Sequence, residues 1–270
     1  MTRAIWALAL AGTLAACDLF GGGAQPTPSP TPTPTVSPTA TSIAASNGAR
    51  AIAEETDDFL FEFSYPSEAG RIPELAALLD GRLERTRAEL ATEAAQARRL
   101  ARSDGFPYNK HSHSSEWKVV ADLPGWLSLS EQVSTYTGGA HGNSTVRSLV
   151  WDRTAGRAID AIELFTSPAA LEEALGDSFC DGLDRERAKR RGTPIVEGSD
   201  YQFDQCPGID EVEVLLGSSN GRTFNRLTLY AGPYVAGPYA EGVYEVNLDV
   251  DRAILEAVKP EFRAAFTARN

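Results

Sequence analysis

The chain has 270 residues, of which 37 are acidic and 25 are basic, so its formal net charge at pH 7 is −12. This acidic balance argues against nucleic acid as a partner and against a polybasic contact with anionic lipid. The length that remains after residue 50 is sufficient for one domain, or for two small lobes, with a hydrophobic core.

Residues 1–16 have the features of a secretory signal, because Arg3 precedes a short apolar run and Leu14-Ala15-Ala16 directly precedes Cys17. The apolar run is too short to span a bilayer. The junction resembles a bacterial lipobox, which implies cleavage before Cys17 and lipidation of that residue. The alternative is an ordinary signal peptide followed by an incidental cysteine. We therefore expect a lipid-anchored protein of the cell envelope that faces the periplasm or the exterior. Loss of Arg3 with the signal changes the net charge from −12 to −13.

Residues 17–49 are predicted to be the lipidated cysteine followed by a linker. Proline alternates with threonine or serine from Pro26 to Pro34, which favours polyproline II and provides no apolar face for a core. We expect this segment to be a semi-rigid spacer that holds a globular part away from the membrane. The globular part is predicted to begin near Arg50.

The globular part is predicted to be α+β, with antiparallel sheets, two long helices and two closely packed lobes at residues 50–160 and 161–270. A leucine stripe after Pro73 predicts a helix to about Arg102, and Ser167-Pro168 predicts the start of a second helix that runs towards Arg190. Shorter helices are expected at Asp251–Val258 and around Phe262 and Phe266. Alternating apolar residues predict strands at Phe59–Tyr65, Trp117–Leu123, Leu127–Tyr136, Val146–Asp152, Ile159–Phe165, Val212–Leu216, Arg226–Tyr230 and Val243–Leu248.

Two cysteines, Cys180 and Cys206, remain once Cys17 is lipidated. In an oxidising envelope an even pair predicts one disulfide. Two buried free thiols are the alternative, since free cysteine is often buried.

The segment from Tyr136 to Asn143, with the sequence Tyr-Thr-Gly-Gly-Ala-His-Gly-Asn, is the densest unusual stretch of the chain. Three glycines in five residues permit positive φ and a close approach of the backbone, and we expect Gly139→Val to be destabilising for that reason. His141 within this loop is a candidate ligand-binding residue, and a purely structural role in holding the loop is the alternative. A zinc site formed by His111, His113 and His141 is a further, weaker hypothesis.

A second informative segment spans residues 229–242, where Gly-Pro repeats alternate with Tyr234 and Tyr239. Repeated glycine and proline indicate a fixed loop that presents aromatic rings. Rigid tyrosines serve recognition at a small entropic cost, and they also fill the edge of a core. Tyr136, His141, Asn143, Tyr234 and Tyr239 are therefore the candidate ligand-binding residues.

The charged end of the second helix, residues 181–191, is interpreted structurally, because cations near a helix C-terminus interact favourably with the helix dipole. The sequence contains no nucleophile elbow, Walker loop or dinucleotide-binding fingerprint. We therefore predict no catalytic residue, no resident metal and no cofactor.

The glycine-rich and tyrosine-rich segments together resemble a known family. Residues 136–143, 151–157 and 162–165 are similar to the envelope domain of the anti-sigma factor RsiV and to the non-catalytic N-terminal region of the peptidoglycan deacetylase PdaC. Residues 233–242, 246–248 and 255–260 are similar to the C-terminal half of that family. The resemblance covers about residues 55–262. It implies a binding domain, which in the anti-sigma factor binds lysozyme.

These observations predict a lipid-anchored envelope protein that binds without catalysis. A cationic lysozyme-like muramidase or peptidoglycan is the expected partner, besides the membrane that holds the anchor, since an acidic domain attracts a cationic protein. The first alternative is a cell-wall-related hydrolase that uses His141 with a carboxylate or a metal. The second alternative is a structural envelope lipoprotein.

Overall fold

The computed structural model describes residues 39–43, 46–196 and 198–269. These residues all belong to a unit that extends from Pro38 to Asn270. The predicted signal peptide, Cys17 and most of the predicted linker lie outside the described residues. Among the residues described, no helix is both long enough and apolar enough to cross a membrane.

A seven-stranded sheet dominates the first half of the unit, and its strands are neighbours in the order of the sequence. The strands are β1 (Thr39–Ile43), β2 (Arg50–Glu55), β3 (Phe59–Tyr65), β4 (His111–Asp122), β5 (Trp126–Tyr136), β6 (Asn143–Asp152) and β7 (Arg157–Ile159). All neighbouring pairs are antiparallel except β3 and β4. That pair is parallel because a helix connects the two strands, as parallel neighbours require. The sequence patterns predict neither β1 nor β2, and β1 lies within residues 17–49, which are predicted to be linker.

Two helices, α1 (Ser67–Gly70) and α2 (Pro73–Asp104), form this connection. Pro73 occupies the first turn of α2, where a missing N–H costs nothing, and Gly105 ends the helix with a left-handed φ of 75°. The buried side chains of α2 recur at helical spacing, namely Leu75, Leu79, Leu83, Leu90 and Ala94. They pack against β3 and the facing side chains of β4, β5 and β6 in one hydrophobic cluster. The first predicted long helix is therefore confirmed.

The second half contains a three-stranded antiparallel sheet in the order β10-β9-β8. Its strands are β8 (Glu213–Gly217), β9 (Arg226–Ala231) and β10 (Tyr244–Asp249), and its helices are α3 (Pro168–Leu175), α4 (Ser178–Arg191) and α5 (Arg252–Ala257). Short 3-10 helices lie at Ser46–Gly48, Ala161–Leu164, Gln202–Asp204, Ile209–Glu211, Tyr239–Glu241 and Pro260–Ala265.

The predicted second long helix is wrong in one respect, since it is broken into α3 and α4. Gly176 has φ 50° and ψ −135°, which no helix accommodates, and it separates the two helices. The predicted start is correct, because the Ser167 hydroxyl accepts a hydrogen bond from the Ala170 N–H at 3.0 Å. The predicted strand Ile159–Phe165 is also corrected, since β7 ends at Ile159 and a 3-10 helix follows.

A second hydrophobic cluster lies among α3, α4, α5 and the three-stranded sheet. It also includes Ala121, Leu123, Val150 and Ile159 from the first half. A small third cluster joins Val146 of β6 to Leu215 of β8 and Tyr230 of β9. The predicted α+β class is confirmed, and the predicted lobe boundary near residue 160 stays a prediction.

Candidate functional site

The loop between β5 and β6, residues 137–142, presents the histidine that the sequence singled out. Gly138 has φ 86°, a conformation that side chains with a Cβ rarely adopt. A Cβ at Gly142 would lie 2.9 Å from the Thr135 carbonyl oxygen. Gly139 has neither restriction, because an added Cβ there meets nothing within 4 Å. The expected strain at Gly139 is therefore wrong, and the conformational requirement lies at Gly138 and Gly142.

The segment that follows β9, residues 232–242, presents the two tyrosines. Its turn is closed by hydrogen bonds from the Tyr234 N–H to the Gly237 carbonyl at 3.0 Å and from the Val235 N–H to the Gly232 carbonyl at 3.1 Å. Tyr234 has φ 69°, which is uncommon for a bulky residue and costs about 1–3 kcal/mol. Its ring is nevertheless 54% exposed. Backbone strain that holds an aromatic ring in solvent is typical of a binding site.

The two segments meet at a group of three rings, which we call the aromatic cluster: His141, Tyr234 and Tyr239. The rings of His141 and Tyr239 stack with centroids 4.0 Å apart and planes 26° apart. Tyr234 lies 5.7 Å from Tyr239 and 6.5 Å from His141, measured between ring centroids. The Tyr239 hydroxyl donates a hydrogen bond to the Gly142 carbonyl at 2.9 Å, which joins the two segments directly.

Tyr136 and Asn143, the other two candidate residues, are placed differently. Tyr136 is the last residue of β5, is half-buried and pairs with Ser112 of β4. Among the described rings, Tyr239 stacks on His141 and Tyr234 lies tilted beside it, and Tyr136 is in contact with neither. The side-chain Oδ1 atom of Asn143 accepts a hydrogen bond from the Ser144 N–H at 3.0 Å, and the residue borders a groove described below.

The three histidines are not brought together as a zinc site. His111 is buried beside the ring of Tyr108, and His113 stacks on Phe61 at 5.9 Å between centroids. Burial lowers the pKa of His113, and the nearby Arg147 lowers it further. Across residues 39–43, 46–196 and 198–269, no three histidine, cysteine, aspartate or glutamate side chains lie close enough to hold a metal ion.

A groove of about 250 Å³ lies next to the two segments that carry the aromatic cluster, and its lining includes Pro233 and Val235 on either side of Tyr234. One side is formed by Asn143 and the next three residues of β6, and the other by Gly232, Pro233 and Val235 around the exposed tyrosine. Its rim also carries three carboxylates, Asp210, Glu211 and Glu213. Clustered carboxylates at the rim of a groove are well suited to bind the ammonium or guanidinium groups of a partner.

Helix α4 holds the segment that carries the two tyrosines, and the sequence analysis missed this role. Arg187 is completely buried, and its guanidinium donates to the carbonyl oxygens of Ala236 at 2.9 Å, Gln205 at 2.8 Å and Asp204 at 3.3 Å. It also donates to the Asp184 carboxylate at 2.9 Å. Arg187 lies one turn before the end of α4, among charged residues that are expected to be solvated, so the sequence pattern does not indicate that its side chain is buried.

The next two arginines of α4 bind the end of the same segment. Arg190 donates to the carbonyl oxygens of Glu241 and Val243, and its guanidinium carbon lies 4.1 Å from the centre of the Tyr244 ring. Arg191 donates two hydrogen bonds to the Glu241 carboxylate at 2.9 Å and one to Asp204 at 2.5 Å. The cationic end of the helix therefore positions the tyrosine segment, beyond its interaction with the helix dipole.

These contacts change the pKa values of the acids involved. A hydrogen bond from Ser199, together with those from Arg191, holds the pKa of Asp204 below its ordinary value. Burial raises the pKa of Glu241, but hydrogen bonds from Arg191 and Tyr244 outweigh this effect, so the net shift is downward. The pKa of Arg191 is raised, chiefly by its hydrogen bonds to Glu241.

The predicted disulfide between Cys180 and Cys206 is present in the structure, with Cα atoms 5.5 Å apart. It joins α4 to the loop whose carbonyl groups accept hydrogen bonds from Arg187. The disulfide and Arg187 thus fix the same loop to the helix that positions the aromatic cluster.

Comparison with known proteins agrees with these observations. Residues 52–144, which extend from β2 into β6, match the family described as "Deacetylase PdaC". The resemblance to PdaC predicted from the sequence is therefore confirmed over these residues. No curated protein matches the chain.

Two solved structures of the DUF3298 family are similar in fold. A member from Bacteroides fragilis NCTC 9343 has a TM-score of 0.50 and 15% sequence identity, and the match covers 85% of this chain and 96% of that one. A member from Pseudomonas aeruginosa PAO1 has a TM-score of 0.45 and 18% identity, with 86% and 98% covered. At 15% identity, the similarity to the Bacteroides fragilis structure concerns the fold alone.

Proposed function

We propose that this protein is a lipid-anchored binding protein of the cell envelope, without catalysis of its own, whose partner is a cationic muramidase of the lysozyme type. The single observation that carries the proposal is the aromatic cluster, with an exposed Tyr234 at positive φ beside a groove bordered by carboxylates. Tyrosine rings that are held rigidly bind a partner with little loss of side-chain entropy.

The charge of the chain supports a cationic partner. The net charge is −12, and loss of Arg3 with the predicted signal peptide makes it −13. Asp210 is exposed at the rim of the groove, next to Glu211. Opposite charges on two partners accelerate their encounter and make the association sensitive to salt.

The lipid anchor is tested separately from binding. Cys17→Ser should release the protein from the membrane fraction or block its processing, because the lipid is attached to this residue. Mass spectrometry of the mature wild-type protein measures the modification directly. An unmodified Cys17, or a mature chain that begins at another residue, would contradict the anchor and leave the binding proposal intact.

The binding experiment immobilises the full-length protein in detergent and titrates a lysozyme-type muramidase at about 50 mM and about 200 mM salt. We expect Tyr234→Ala and His141→Ala to weaken binding by at least about tenfold, which corresponds to about 1.4 kcal/mol. Tyr234→Phe keeps the ring and should bind almost as the wild type does. Asp210→Asn should reduce the salt dependence, since it removes a charge at the rim.

Leu100→Ala is the matched control, because Leu100 is 64% exposed on α2 and belongs to neither the cluster nor the groove. Sedimentation with insoluble peptidoglycan is run in parallel. If the wild type binds peptidoglycan but not the muramidase, and Tyr234→Ala loses this binding, the partner is the cell-wall polymer and the muramidase proposal is wrong. Binding to neither, or equal affinity of all variants, would refute the proposal.

A further inference from the structure

A second cleft, of about 410 Å³, lies between α2 and the edge of β6. This volume is within the range of small-molecule sites, which is about 300–1,000 Å³. The lining is strongly charged. Arg82, Arg85 and Glu89 come from α2, Glu131 comes from β5 and Arg147 comes from β6. Asp160, which follows β7, and Glu213 of β8 complete the charged lining. No part of the aromatic cluster lines this cleft.

The carboxylate of Glu131 is the most unusual group in the cleft. The residue is only 4% exposed, and its Oε1 atom accepts a hydrogen bond from the Ser115 hydroxyl at 2.5 Å. Its Oε2 atom is buried and has no hydrogen-bond partner among the described residues, and the nearest cation, Arg147, is 3.9 Å away. Burying a carboxylate oxygen without a hydrogen-bond donor is unfavourable in free energy. A ligand that donates a hydrogen bond to this oxygen would reduce that cost.

The two arginines of α2 present the opposite charge. Arg82 and Arg85 are three positions apart on the helix and therefore share one face. The Arg82 guanidinium carbon lies 5.3 Å from the centre of the Trp117 ring, whose face orients it. Within the described chain neither arginine forms an ion pair, whereas Arg87 and Arg98 of the same helix pair with Glu54 and Asp58.

The arrangement of charges selects the class of ligand. A simple anion in this cleft would face the carboxylates of Glu89, Glu131, Asp160 and Glu213, and a simple cation would face the guanidinium groups of Arg82, Arg85 and Arg147. A ligand with both a carboxylate and an ammonium group satisfies both, because guanidinium groups bind carboxylates in a bidentate manner and an ammonium group donates hydrogen bonds to carboxylate oxygens.

We propose that this cleft binds a small zwitterion of the amino-acid or short-peptide class. Arg82 and Arg85 hold the carboxylate of the ligand, and Glu131 accepts a hydrogen bond from its ammonium group. Glu213 borders both this cleft and the groove beside the aromatic cluster, but Glu131 and Arg85 line only the cleft, so variants of these two residues test the cleft independently of the proposed muramidase surface.

The test uses the full-length protein and two probes, L-alanyl-L-alanine and L-alanyl-D-alanine, with ligand-observed NMR titration. We expect at least one free dipeptide to bind. Its N-acetylated form, which lacks the ammonium group, and its C-terminal amide, which lacks the carboxylate, should each bind at least about tenfold more weakly. Equal binding of the free and capped forms, binding of acetate as tight as that of the dipeptide, or binding of neither dipeptide would overturn the proposal.

Two variants test which residue contacts the ammonium group of the ligand and which contacts its carboxylate. Glu131→Gln should bind the free dipeptide more weakly and lose the preference for it over the N-acetylated form. Arg85→Gln should lose the preference over the amide. Arg99→Gln, which changes an exposed arginine of α2 outside the cleft, is the matched control and should behave as the wild type. Tyr234→Ala should also leave dipeptide binding unchanged.

Thermal unfolding separates a binding role of Glu131 from a structural one. If the Glu131 carboxylate serves to bind a ligand, Glu131→Gln removes a buried carboxylate that lacks hydrogen-bond donors. The melting temperature of the unliganded protein should then stay the same or rise. If the carboxylate stabilises the sheet through Ser115 and Arg147, the same variant should melt at a clearly lower temperature, and that result would overturn the proposal.

Discussion

Replacing Arg187 with methionine should strongly destabilise the protein, because it removes the donor that joins three separate segments. Methionine retains much of the aliphatic length of arginine but donates no hydrogen bond. In the variant the carbonyl oxygens of Ala236, Asp204 and Gln205 lose their common donor.

The magnitude follows from the surroundings of each acceptor. Ala236 is fully buried, so loss of the donor to its carbonyl costs about 2 kcal/mol. Asp204 is half-buried and Gln205 is exposed, so water replaces part of each bond, and about 1 kcal/mol is lost at each. The total of about 4 kcal/mol agrees with the range of about 3–5 kcal/mol for removing one partner of a buried ionic contact.

Urea denaturation of wild type and Arg187→Met measures this difference in the free energy of unfolding. For a unit of this size, about 4 kcal/mol corresponds to a melting temperature lower by about 8–16 °C. Lys189→Met is the matched control on the same helix, since the Lys189 side chain is 80% exposed, and it should change stability by less than about 0.5 kcal/mol. A difference below about 1 kcal/mol for Arg187→Met would show that the buried guanidinium does not fix these segments.

Three further predictions concern the disulfide, the loop glycines and acid stability. Reducing the disulfide should lower the free energy of unfolding by about 3.5 kcal/mol, because its cysteines are 26 residues apart; unchanged melting with reductant would contradict this. Gly138→Val should lower the melting temperature because φ is 86° there, whereas Gly139→Val should not, and the opposite order would refute the assignment of strain. Stability should fall as the pH drops below 4.5 and 3.8, the ordinary pKa values of Glu241 and Asp204, because both pKa values are lower in the folded protein. Arg191→Gln should flatten this part of the pH profile, and a profile equal to that of the wild type would exclude Arg191 as a cause.

The main elements of the fold could be predicted because their signals are local. Pro73, the leucine spacing and Gly105 lie within one continuous stretch, and they define α2 without reference to the rest of the chain. Alternation predicts β3 in the same way, since Phe59, Phe61, Phe63 and Tyr65 are buried at every second position, while Leu60 between them is exposed. The break at Gly176 was missed because one glycine also occurs within intact helices, and only its φ and ψ values distinguish the two cases.

The candidate site was predicted in part. His141, Tyr234 and Tyr239 were each selected from glycine-rich or proline-rich surroundings, but their stacking joins residues more than 90 positions apart. No local pattern encodes a contact of this length, which depends on how β6 packs beside the second sheet. Tyr136 has the same local surroundings as His141, and the structure places it outside the cluster.

By itself the sequence determined the helix α2, most strands, the α+β class and the chemical character of the exposed loops, because each depends on neighbours along the chain. The tertiary structure alone decided which charged side chains are buried. Arg187 and Glu131 look like ordinary solvated residues in the sequence, yet one is fully buried and the other nearly so. Burial of a charge depends on groups supplied by distant segments, such as the carbonyl of Ala236 for Arg187 and the hydroxyl of Ser115 for Glu131, and these groups converge only when the chain folds.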